Sequence, residues 1–182
     1  MSTRHTTAPP TPRQLQIFHH TVDSPIGPLL LVATEAGLVR VAFAGEGFPT
    51  VLEGVTRTLD ARPVEDPSRL GAAARQLEEY FAGTRRTFDL PLDRRLSTGF
   101  RRTVQDRLSS IGYGQTRTYA QLAEEVGNPR AVRAVGSACA TNPLPVVVPC
   151  HRVLRSNGSL GGYLGGLGAK AALLALESAA LA

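Results

Sequence analysis

The residues best equipped for chemistry stand side by side near the C-terminal end, in the string Pro149-Cys150-His151-Arg152-Val153. A thiolate is a strong nucleophile, and a neighbouring imidazole or guanidinium favours it electrostatically. The apolar run 146–148 predicts a short buried strand that would hold the thiol at its end. Adjacent side chains of an extended segment point apart, so a Cys-His dipeptide alone is weak evidence of catalysis.

A glycine-rich segment and a final helix follow this string. Glycines at 158, 161, 162, 165, 166 and 168 surround Tyr163 and leave backbone amides free to bind a flat ligand. The spacing does not match a phosphate-binding loop, because Lys170 comes two residues after the last glycine. The final helix, predicted over Lys170–Ala180, places Glu177 on the buried face, where a carboxylate can orient an imidazole. An exposed glutamate on a frayed helix is the alternative.

The chain has two cysteines, Cys139 and Cys150, and four histidines. A disulfide framework needs more cysteines, and a structural zinc site needs four Cys or His ligands at short spacing. The histidines provide no such cluster; they are His5, His19, His20 and His151. We therefore expect neither a disulfide framework nor a structural zinc site, and we expect Cys139 to pack as a small apolar residue.

Three helices are predicted between residue 97 and the cysteine string. The pair Ser97-Thr98 can cap the first, whose apolar residues recur at near-helical spacing up to residue 111. Residues Thr118–Gln121 form a capping box that opens the second helix, which ends at Gly127. The third helix is predicted over 128–140, starting with Asn-Pro. Two short helices around a glycine-containing turn predict a helix-turn-helix.

The predicted third helix carries one large polar side chain, Arg133, among small residues. A helix that reads base sequence in the major groove carries several Arg, Lys, Asn or Gln side chains. A slim helix suits the narrow minor groove instead, with Arg133 inserted into the base stack. A closely packed core helix is the alternative interpretation of the same residues.

The charge of the chain is unevenly distributed. Residues 1–96 hold 11 Arg and 11 Asp or Glu, whereas residues 97–182 hold 9 Lys or Arg and 4 Asp or Glu. The second half therefore carries the whole net charge of +5. This asymmetry favours a phosphate-binding lobe beside a neutral one, with random variation in surface charge as the alternative.

We predict an α/β (α+β) fold with two lobes. Strands over 17–22, 28–33 and 38–43, a helix over 72–81 and a further strand over 88–92 build a small N-terminal sheet-plus-helix lobe, residues 17–92. A mainly helical C-terminal lobe with the helix-turn-helix occupies residues 97–182. The Thr- and Pro-rich residues 1–16 predict a flexible tail. The chain has no signal-peptide pattern and no apolar run of about 20 residues, so we expect a cytoplasmic protein without membrane contact.

The C-terminal half resembles the alkylguanine-DNA alkyltransferases, also called methylated-DNA--protein-cysteine methyltransferases. Asn142-Pro143, followed by the string at 149–153, looks like the active-site signature of that family. The resemblance extends to Tyr113-Gly114, to the helix at 130–135 and to Gly162-Tyr163. It covers residues 17–92 more loosely.

The resemblance implies a suicide enzyme that repairs duplex DNA. An alkyl group would move irreversibly from the 6-oxygen of a guanine to Cys150, once per molecule. His151 would remove the thiol proton through a water, Glu177 would orient His151, and Asn142 would hold the neighbouring turn. The resemblance implies neither a metal ion nor an organic cofactor.

The resemblance also implies how the damaged base is reached. Arg133 would fill the gap left by the flipped nucleotide, and Tyr119 would push its 3′ phosphate. Further DNA contacts are expected from Thr118, Ala134 and Ser137, and the base pocket is expected to contain Val153, Gly162, Tyr163 and Leu164. Tyr163 would also stabilise the charge that develops on the guanine oxygen. We expect a monomer, and cooperative binding of several copies to DNA stays open.

Several positions depart from the family pattern. Arg101 or Arg102 and Gln105 stand where many relatives have Gln and Trp, and Gly112 replaces a usual proline. Leu164 stands where some relatives carry a small polar residue. The zinc-binding cysteines of some relatives are missing. These departures concern packing and substrate range rather than the reaction.

Three other functions are weighed against this one. Lesion-binding relatives that do not transfer the alkyl group replace the cysteine, whereas Cys150 is present here. A cysteine hydrolase or redox thiol could use Cys150 and His151, but hydrolases usually take the base from a distant part of the sequence, and there is no Cys-x-x-Cys. A sequence-specific regulator is disfavoured by the small residues of the third helix.

Overall fold

The computed structural model describes residues 14–179. The predicted tail up to residue 13, which includes His5, and the predicted helix end at Ala180 lie outside the described residues. The part of the predicted tail at residues 15 and 16 belongs to the first strand, where Leu15 and Gln16 pair with Ala61 and Arg62. The boundary predicted at residue 17 is therefore too late.

The N-terminal lobe consists of a four-stranded sheet and two helices. Its elements are β1 (Leu15–Val22), β2 (Leu29–Thr34), β3 (Gly37–Phe43), α1 (Phe48–Leu59), β4 (Ala61–Glu65) and α2 (Pro67–Phe81). The strand order is β3-β2-β1-β4, with β1 and β4 parallel and the other pairs antiparallel. The first three predicted strands are confirmed. The predicted helix is also confirmed, and it begins earlier because the Asp66 side chain caps it by accepting from the Ser68 and Arg69 N–H groups.

Two elements of this lobe were not predicted from the sequence. α1 contains Gly54 in its interior, which weakens a helical pattern, whereas its Pro49 lies in the first turn, where proline is tolerated. β4 contains Pro63, and only its first residue, Ala61, is buried. An edge strand tolerates proline and needs little apolar alternation, so its sequence carries almost no strand signal.

The strand predicted over 88–92 is wrong. This segment makes a single bridge, between Leu38 and Leu92. Pro91 has no N–H to donate, and its carbonyl accepts from the Leu38 N–H at 2.9 Å. Gly37 lies so close that a Cβ there would stand 2.2 Å from the Pro91 oxygen, and its φ of +140° also favours glycine.

The C-terminal lobe is mainly helical, as predicted. Its elements are α3 (Gly99–Leu108), β5 (Arg117–Thr118), α4 (Tyr119–Glu125), α5 (Val132–Ala140), a 3-10 turn at Cys150–Arg152, β6 (Val153–Leu154) and α6 (Gly166–Ala179). α4 and α5 form the predicted helix-turn-helix. The capping box is confirmed, because Thr118 and Gln121 exchange side-chain to backbone hydrogen bonds.

The start predicted for α5 is wrong by several residues. Residues 128–131 form a turn in which the Ala131 N–H donates to the Asn128 carbonyl at 2.9 Å, and the helix begins at Val132. The Asn-Pro pair therefore closes the turn between the two helices instead of starting the second one. Arg133 consequently lies in the first turn of α5.

The two lobes share one hydrophobic core. A single cluster contains Leu31 of β2, Leu77 of α2, Leu122 of α4, Val135 of α5 and Cys150. Cys139 also belongs to it and is 8% exposed, as expected for a small apolar residue. The reactive string is thus positioned by elements from both halves of the chain. Among residues 14–179, no helix is long and apolar enough to cross a membrane.

Candidate active site

The cysteine lies in a buried turn rather than at the end of a strand. Residues 146–148 were predicted to be a strand, but they form a turn closed by the Val148 N–H, which donates to the Leu144 carbonyl at 2.7 Å. Pro145 and Pro149 flank the segment and cannot donate ladder hydrogen bonds. Val146 has a φ of +71°, which a strand would not allow.

Asn142 holds this turn around the thiol. Its side chain is 1% exposed, and its Nδ2 donates to the Val148 carbonyl at 2.8 Å and to Cys150 Sγ at 3.2 Å. Its Oδ1 accepts from the Leu144 N–H at 3.1 Å. All three bonds lie within the turn, so one amide fixes both the backbone and the sulfur.

The N-terminal lobe supports the same turn from outside. The Val41 N–H of β3 donates to the Pro143 carbonyl at 2.8 Å. Arg40 Nη1 reaches the same carbonyl at 3.3 Å, and Arg40 Nη2 pairs with Glu46. The edge of the sheet therefore fixes the residue that follows Asn142.

Cys150 is 5% exposed. Burial raises the pKa of its thiol to about 11, and the Asn142 hydrogen bond and the Lys170 charge lower it only in part. A thiol with this pKa is protonated near neutral pH, so its use as a nucleophile requires a base.

His151 and Glu177 lie together in the interior, as the relay interpretation expects. The ring of His151 is 0% exposed, and its Nε2 lies 2.9 Å from Glu177 Oε1. A carboxylate can only accept, so Nε2 carries the proton and Nδ1 keeps its lone pair. Nδ1 is buried and has no hydrogen-bond partner among the described residues. Burial lowers the pKa of His151 although Glu177 opposes this, which favours the neutral, proton-accepting ring.

Glu177 accepts hydrogen bonds from four residues in three parts of the chain. Besides His151, it accepts from the Tyr80 hydroxyl at 2.7 Å, from Arg152 Nη2 at 2.8 Å and from the Gly114 N–H at 3.0 Å. Burial opposes its ionisation, but the hydrogen bonds from His151 and Arg152 outweigh this and hold the pKa of the carboxyl well below its usual range. The exposed, frayed alternative for Glu177 is therefore wrong.

Two buried polar residues of the site, Tyr80 and Lys170, had no predicted role, and a third, Arg152, was expected only as a charge that favours the thiolate. Arg152 spans the interior from Glu177 to the Ile111 carbonyl, which it reaches at 2.5 Å. Tyr80 comes from α2, and its hydroxyl donates to Glu177 Oε1 at 2.7 Å. Lys170 is 0% exposed, and its Nζ donates to the Val153 carbonyl at 2.6 Å and to the Leu160 carbonyl. The sequence did offer a signal for Lys170 and Arg152, because each is a charged residue in a segment that otherwise looks apolar, helical or buried.

A cleft of about 580 Å³ opens beside this relay. It is lined by residues of α4, α5 and the glycine-rich segment and by Arg155, which follows β6. These residues are Tyr119, Val132, Arg133, Gly136, Ala140, Arg155, Gly161, Gly162, Tyr163 and Leu164. Five of these were predicted from the sequence. Val153 and Cys150 are buried and do not line the cleft. Arg155 was not predicted, because it lies outside every motif considered.

The glycine-rich segment is packed closely around two tyrosines. A Cβ on Gly161 would stand 2.9 Å from the Tyr119 hydroxyl, and one on Gly165 would stand 2.7 Å from the Phe43 ring. The Tyr163 ring meets Phe43 edge-on at 5.5 Å. Its hydroxyl is buried without a hydrogen-bond partner among the described residues, so it is free to meet a ligand.

α5 has one buried and one exposed face. Val135, Ala138 and Cys139 are buried, and the Ala138 carbonyl accepts from Gln105 Nε2 at 3.0 Å. The opposite face exposes Arg133, Ala134 and Ser137. The core interpretation therefore describes the buried face, and the minor-groove interpretation stays a prediction for the exposed face. Thr118 is half-buried, and its hydroxyl is committed to the capping box.

Comparisons with known proteins match both lobes. Residues 17–94 match the model of the 6-O-methylguanine DNA methyltransferase ribonuclease-like domain, and residues 99–179 match that of the DNA binding domain of the same family. The methylated-DNA--protein-cysteine methyltransferase of Methanosarcina barkeri is 43% identical over 162 residues, which cover 88% of this chain and 97% of that protein. The protein of the same name from Mycolicibacterium paratuberculosis is 44% identical over 161 residues, with 88% and 92% covered.

Solved structures give the same result. The crystal structure of Mycobacterium tuberculosis OGT in complex with DNA matches with a TM-score of 0.77 and 42% identity, covering 90% of this chain and 94% of that one. The O6-methylguanine-DNA methyltransferase of Pyrococcus kodakaraensis is 22% identical with a TM-score of 0.62, and it supports the fold alone.

Proposed function

The chain belongs to the 6-O-methylguanine DNA methyltransferase family, and from this we propose how its residues perform the reaction. The protein is a methylated-DNA--protein-cysteine methyltransferase, which repairs DNA by direct transfer of an alkyl group to one of its own cysteines. The observation that carries the residue assignment is the chain of contacts from Asn142 through Cys150 and His151 to Glu177.

Cys150 is the proposed acceptor. In the reaction, Sγ forms a bond to the alkyl carbon while the bond from that carbon to the guanine 6-oxygen breaks. The electron pair of the broken bond stays on the guanine, which takes up a proton and is restored. The thiol proton leaves through a water to His151 Nδ1, so no external reactant is required. The thioether product is stable, and each molecule acts once.

The assignment of the base follows from the protonation of the ring. Glu177 accepts from His151 Nε2, which leaves Nδ1 as the acceptor on the side away from Glu177. Asn142 stabilises the thiolate through its hydrogen bond to Sγ. Lys170 adds a buried positive charge and donates to the Val153 carbonyl. The backbone groups of Cys150 and Val153 would accept hydrogen bonds from the guanine amino group.

The cleft beside the relay is the proposed binding site for a flipped, alkylated guanine in duplex DNA. Tyr163 would line it, with its unpartnered hydroxyl directed to the charge that develops on the guanine oxygen. Gly162 and Leu164 would form the rim.

The exposed face of α5 is the proposed minor-groove surface. Arg133 would occupy the gap in the base stack, and Tyr119 would contact the 3′ phosphate of the flipped nucleotide. The DNA backbone would lie along Ala134, Ser137 and Thr118. We expect one molecule to repair one lesion as a monomer in the cytoplasm.

The test is intact-protein mass spectrometry after incubation with a duplex carrying a single 6-O-methylguanine. The native chain should gain one methyl group, mapped to Cys150, whereas Cys150→Ser should gain none. Cys139→Ala is the matched control and should still gain it. DNA binding without mass gain would leave a lesion-binding protein, and repeated turnover of an ester or peptide would leave a hydrolase.

A further inference from the structure

Tyr80 connects the N-terminal lobe directly to the relay. It lies in α2, and its side chain is 0% exposed. Its hydroxyl donates to Glu177 Oε1 at 2.7 Å and lies 3.5 Å from His151 Nε2. The partners are far apart in sequence, since Glu177 is in the last helix.

The direction of the hydrogen bond is set by chemistry. An ionised carboxylate only accepts, so the phenol must donate. Burial and the nearby Glu177 carboxylate raise the pKa of the Tyr80 phenol far above its usual value, so it stays protonated. Aromatic neighbours hold the ring in place, with Phe81 at 5.4 Å, Phe88 at 5.3 Å and Tyr113 at 6.0 Å between ring centroids.

Glu177 Oε1 is shared by three donors, namely Tyr80, His151 and Arg152. Each donor draws on the negative charge of the same oxygen. A phenol that donates to it therefore leaves less negative charge to stabilise a protonated imidazole. The contact opposes protonation of His151, which must be neutral to accept the thiol proton.

We propose that Tyr80 is a positioning residue of alkyl transfer, which holds Glu177 Oε1 from the N-terminal lobe and keeps His151 in its neutral form. This inference rests on the proposed function. It gives the first lobe a part in the chemistry beyond that of a scaffold.

Besides Tyr80, several titratable groups lie around His151 and its partner Glu177, and each element packed against this pair contributes at least one. They are Cys150 and Arg152 from the 3-10 turn, Tyr113 from the loop after α3, Tyr163 from the glycine-rich segment, and Lys170 and Glu177 from α6. Replacing Tyr80 by phenylalanine removes one hydrogen-bond donor and changes no formal charge. It therefore isolates the effect of the phenol from the effects of these charges.

The experiment measures the single-turnover rate of methyl transfer from the 6-O-methylguanine duplex between about pH 5.5 and 9, with protein in saturating excess. In Tyr80→Phe, the carboxylate stabilises protonated His151 more strongly, so the acid limb of the profile should move up by about half a pH unit. With 3-fluorotyrosine incorporated at position 80, the phenol is a stronger donor, and the limb should move down. A residue that only fills space would not produce shifts of opposite sign.

A second measurement does not depend on transfer. The His151 ring is titrated by NMR in the native chain and in both variants, and the pKa of the ring should move in the same two directions. The control is Phe48→Leu, which removes an aromatic ring from the second hydrophobic cluster, away from Tyr80, and should leave both midpoints unchanged. If Tyr80→Phe does not fold, the fluorinated protein still tests the proposal, because fluorine changes the shape of the side chain very little.

The outcomes separate the two proposals. If the native chain transfers the methyl group and both Tyr80 variants have the same pH midpoints as the native chain, Tyr80 is structural and the inference is wrong. If the native chain gains no methyl group, the proposed function fails, while the NMR titration still decides whether Tyr80 controls His151.

Discussion

At the scale of single residues, burial and reactivity oppose each other at Cys150. A nearly inaccessible thiol is protected from adventitious reactions, but its pKa of about 11 makes it a poor nucleophile at neutral pH. The protein compensates with the amide of Asn142 and the ammonium of Lys170, which both favour the thiolate. His151 is the proposed base, and burial favours the neutral form that this role requires.

Asn142→Ala should therefore weaken the nucleophile. Without the Nδ2 donor, the pKa of Cys150 rises further, and the rate of methyl transfer near pH 7 should fall by about tenfold or more. The rate is measured by single-turnover transfer, and the thiol is followed independently through its labelling by iodoacetamide. The control is Asn128→Ala, an exposed position in the turn between α4 and α5 that is not part of the turn around Cys150. Unchanged labelling in a folded Asn142→Ala protein would show that the amide does not tune the thiol.

At the scale of elements, α5 divides its two tasks between its two faces. The buried face packs against α3 and contributes to the shared core, which requires small side chains. The exposed face presents Arg133 beside the cleft that also contains Tyr119 and Tyr163. A helix with this division can approach a narrow groove closely without reading a sequence, which suits lesions that occur anywhere.

Arg133→Ala should slow repair of duplex DNA by about tenfold or more, because the gap left by the flipped nucleotide is no longer filled. Repair of a single-stranded oligonucleotide with the same lesion should change much less, since no base stack has to be opened. Arg57→Ala removes an exposed arginine of α1 and serves as the control for lost charge. Equal losses on both substrates would assign Arg133 to general phosphate binding instead.

At the scale of the whole molecule, the relay also fastens the two lobes together. Glu177 of α6 binds Tyr80 of α2, Arg152 of the 3-10 turn and the backbone of Gly114. The Thr34 hydroxyl of β2 donates to Asp93 at 2.5 Å, which adds a buried link between the sheet and the segment that connects the two lobes. Stability and the proposed relay therefore depend on the same carboxylate.

The free energy of unfolding should fall as the pH drops below about 4.5. Glu177 has a folded pKa below this usual value, so its contribution is complete at higher pH and is lost as the pH falls toward the folded pKa. Glu177→Gln should be less stable at pH 7, because Arg152 stays buried without its partner, and its stability should depend less on acid. Asp93 and Glu125, whose pKa values are also lowered, supply the remaining dependence.

Urea unfolding between about pH 3 and 7 measures this, with the exposed Glu124→Gln as the control. The expectation is contradicted if Glu177→Gln and the native chain lose stability in parallel as the pH falls.

Local patterns in the sequence determined much of this protein. Hydrophobic alternation over residues 17–43 predicted three strands, and the Thr118–Gln121 capping box predicted the start of α4, because both signals act over a few residues. The string 149–153 with Asn142-Pro143 indicated the nucleophile and its neighbours. The position of Glu177 on an apolar helical face indicated a buried acid.

The tertiary structure decided what those residues touch. The pattern of α2 predicts that Tyr80 is buried, but nothing local reveals that its hydroxyl meets Glu177, which lies 97 residues later in the chain. The turn around Cys150 could not be distinguished from a strand, since three buried valines fit both, and only the contacts of Asn142 and the flanking prolines select the turn. Hydrogen bonds between distant residues depend on how complete elements pack, and that information is spread over the whole chain.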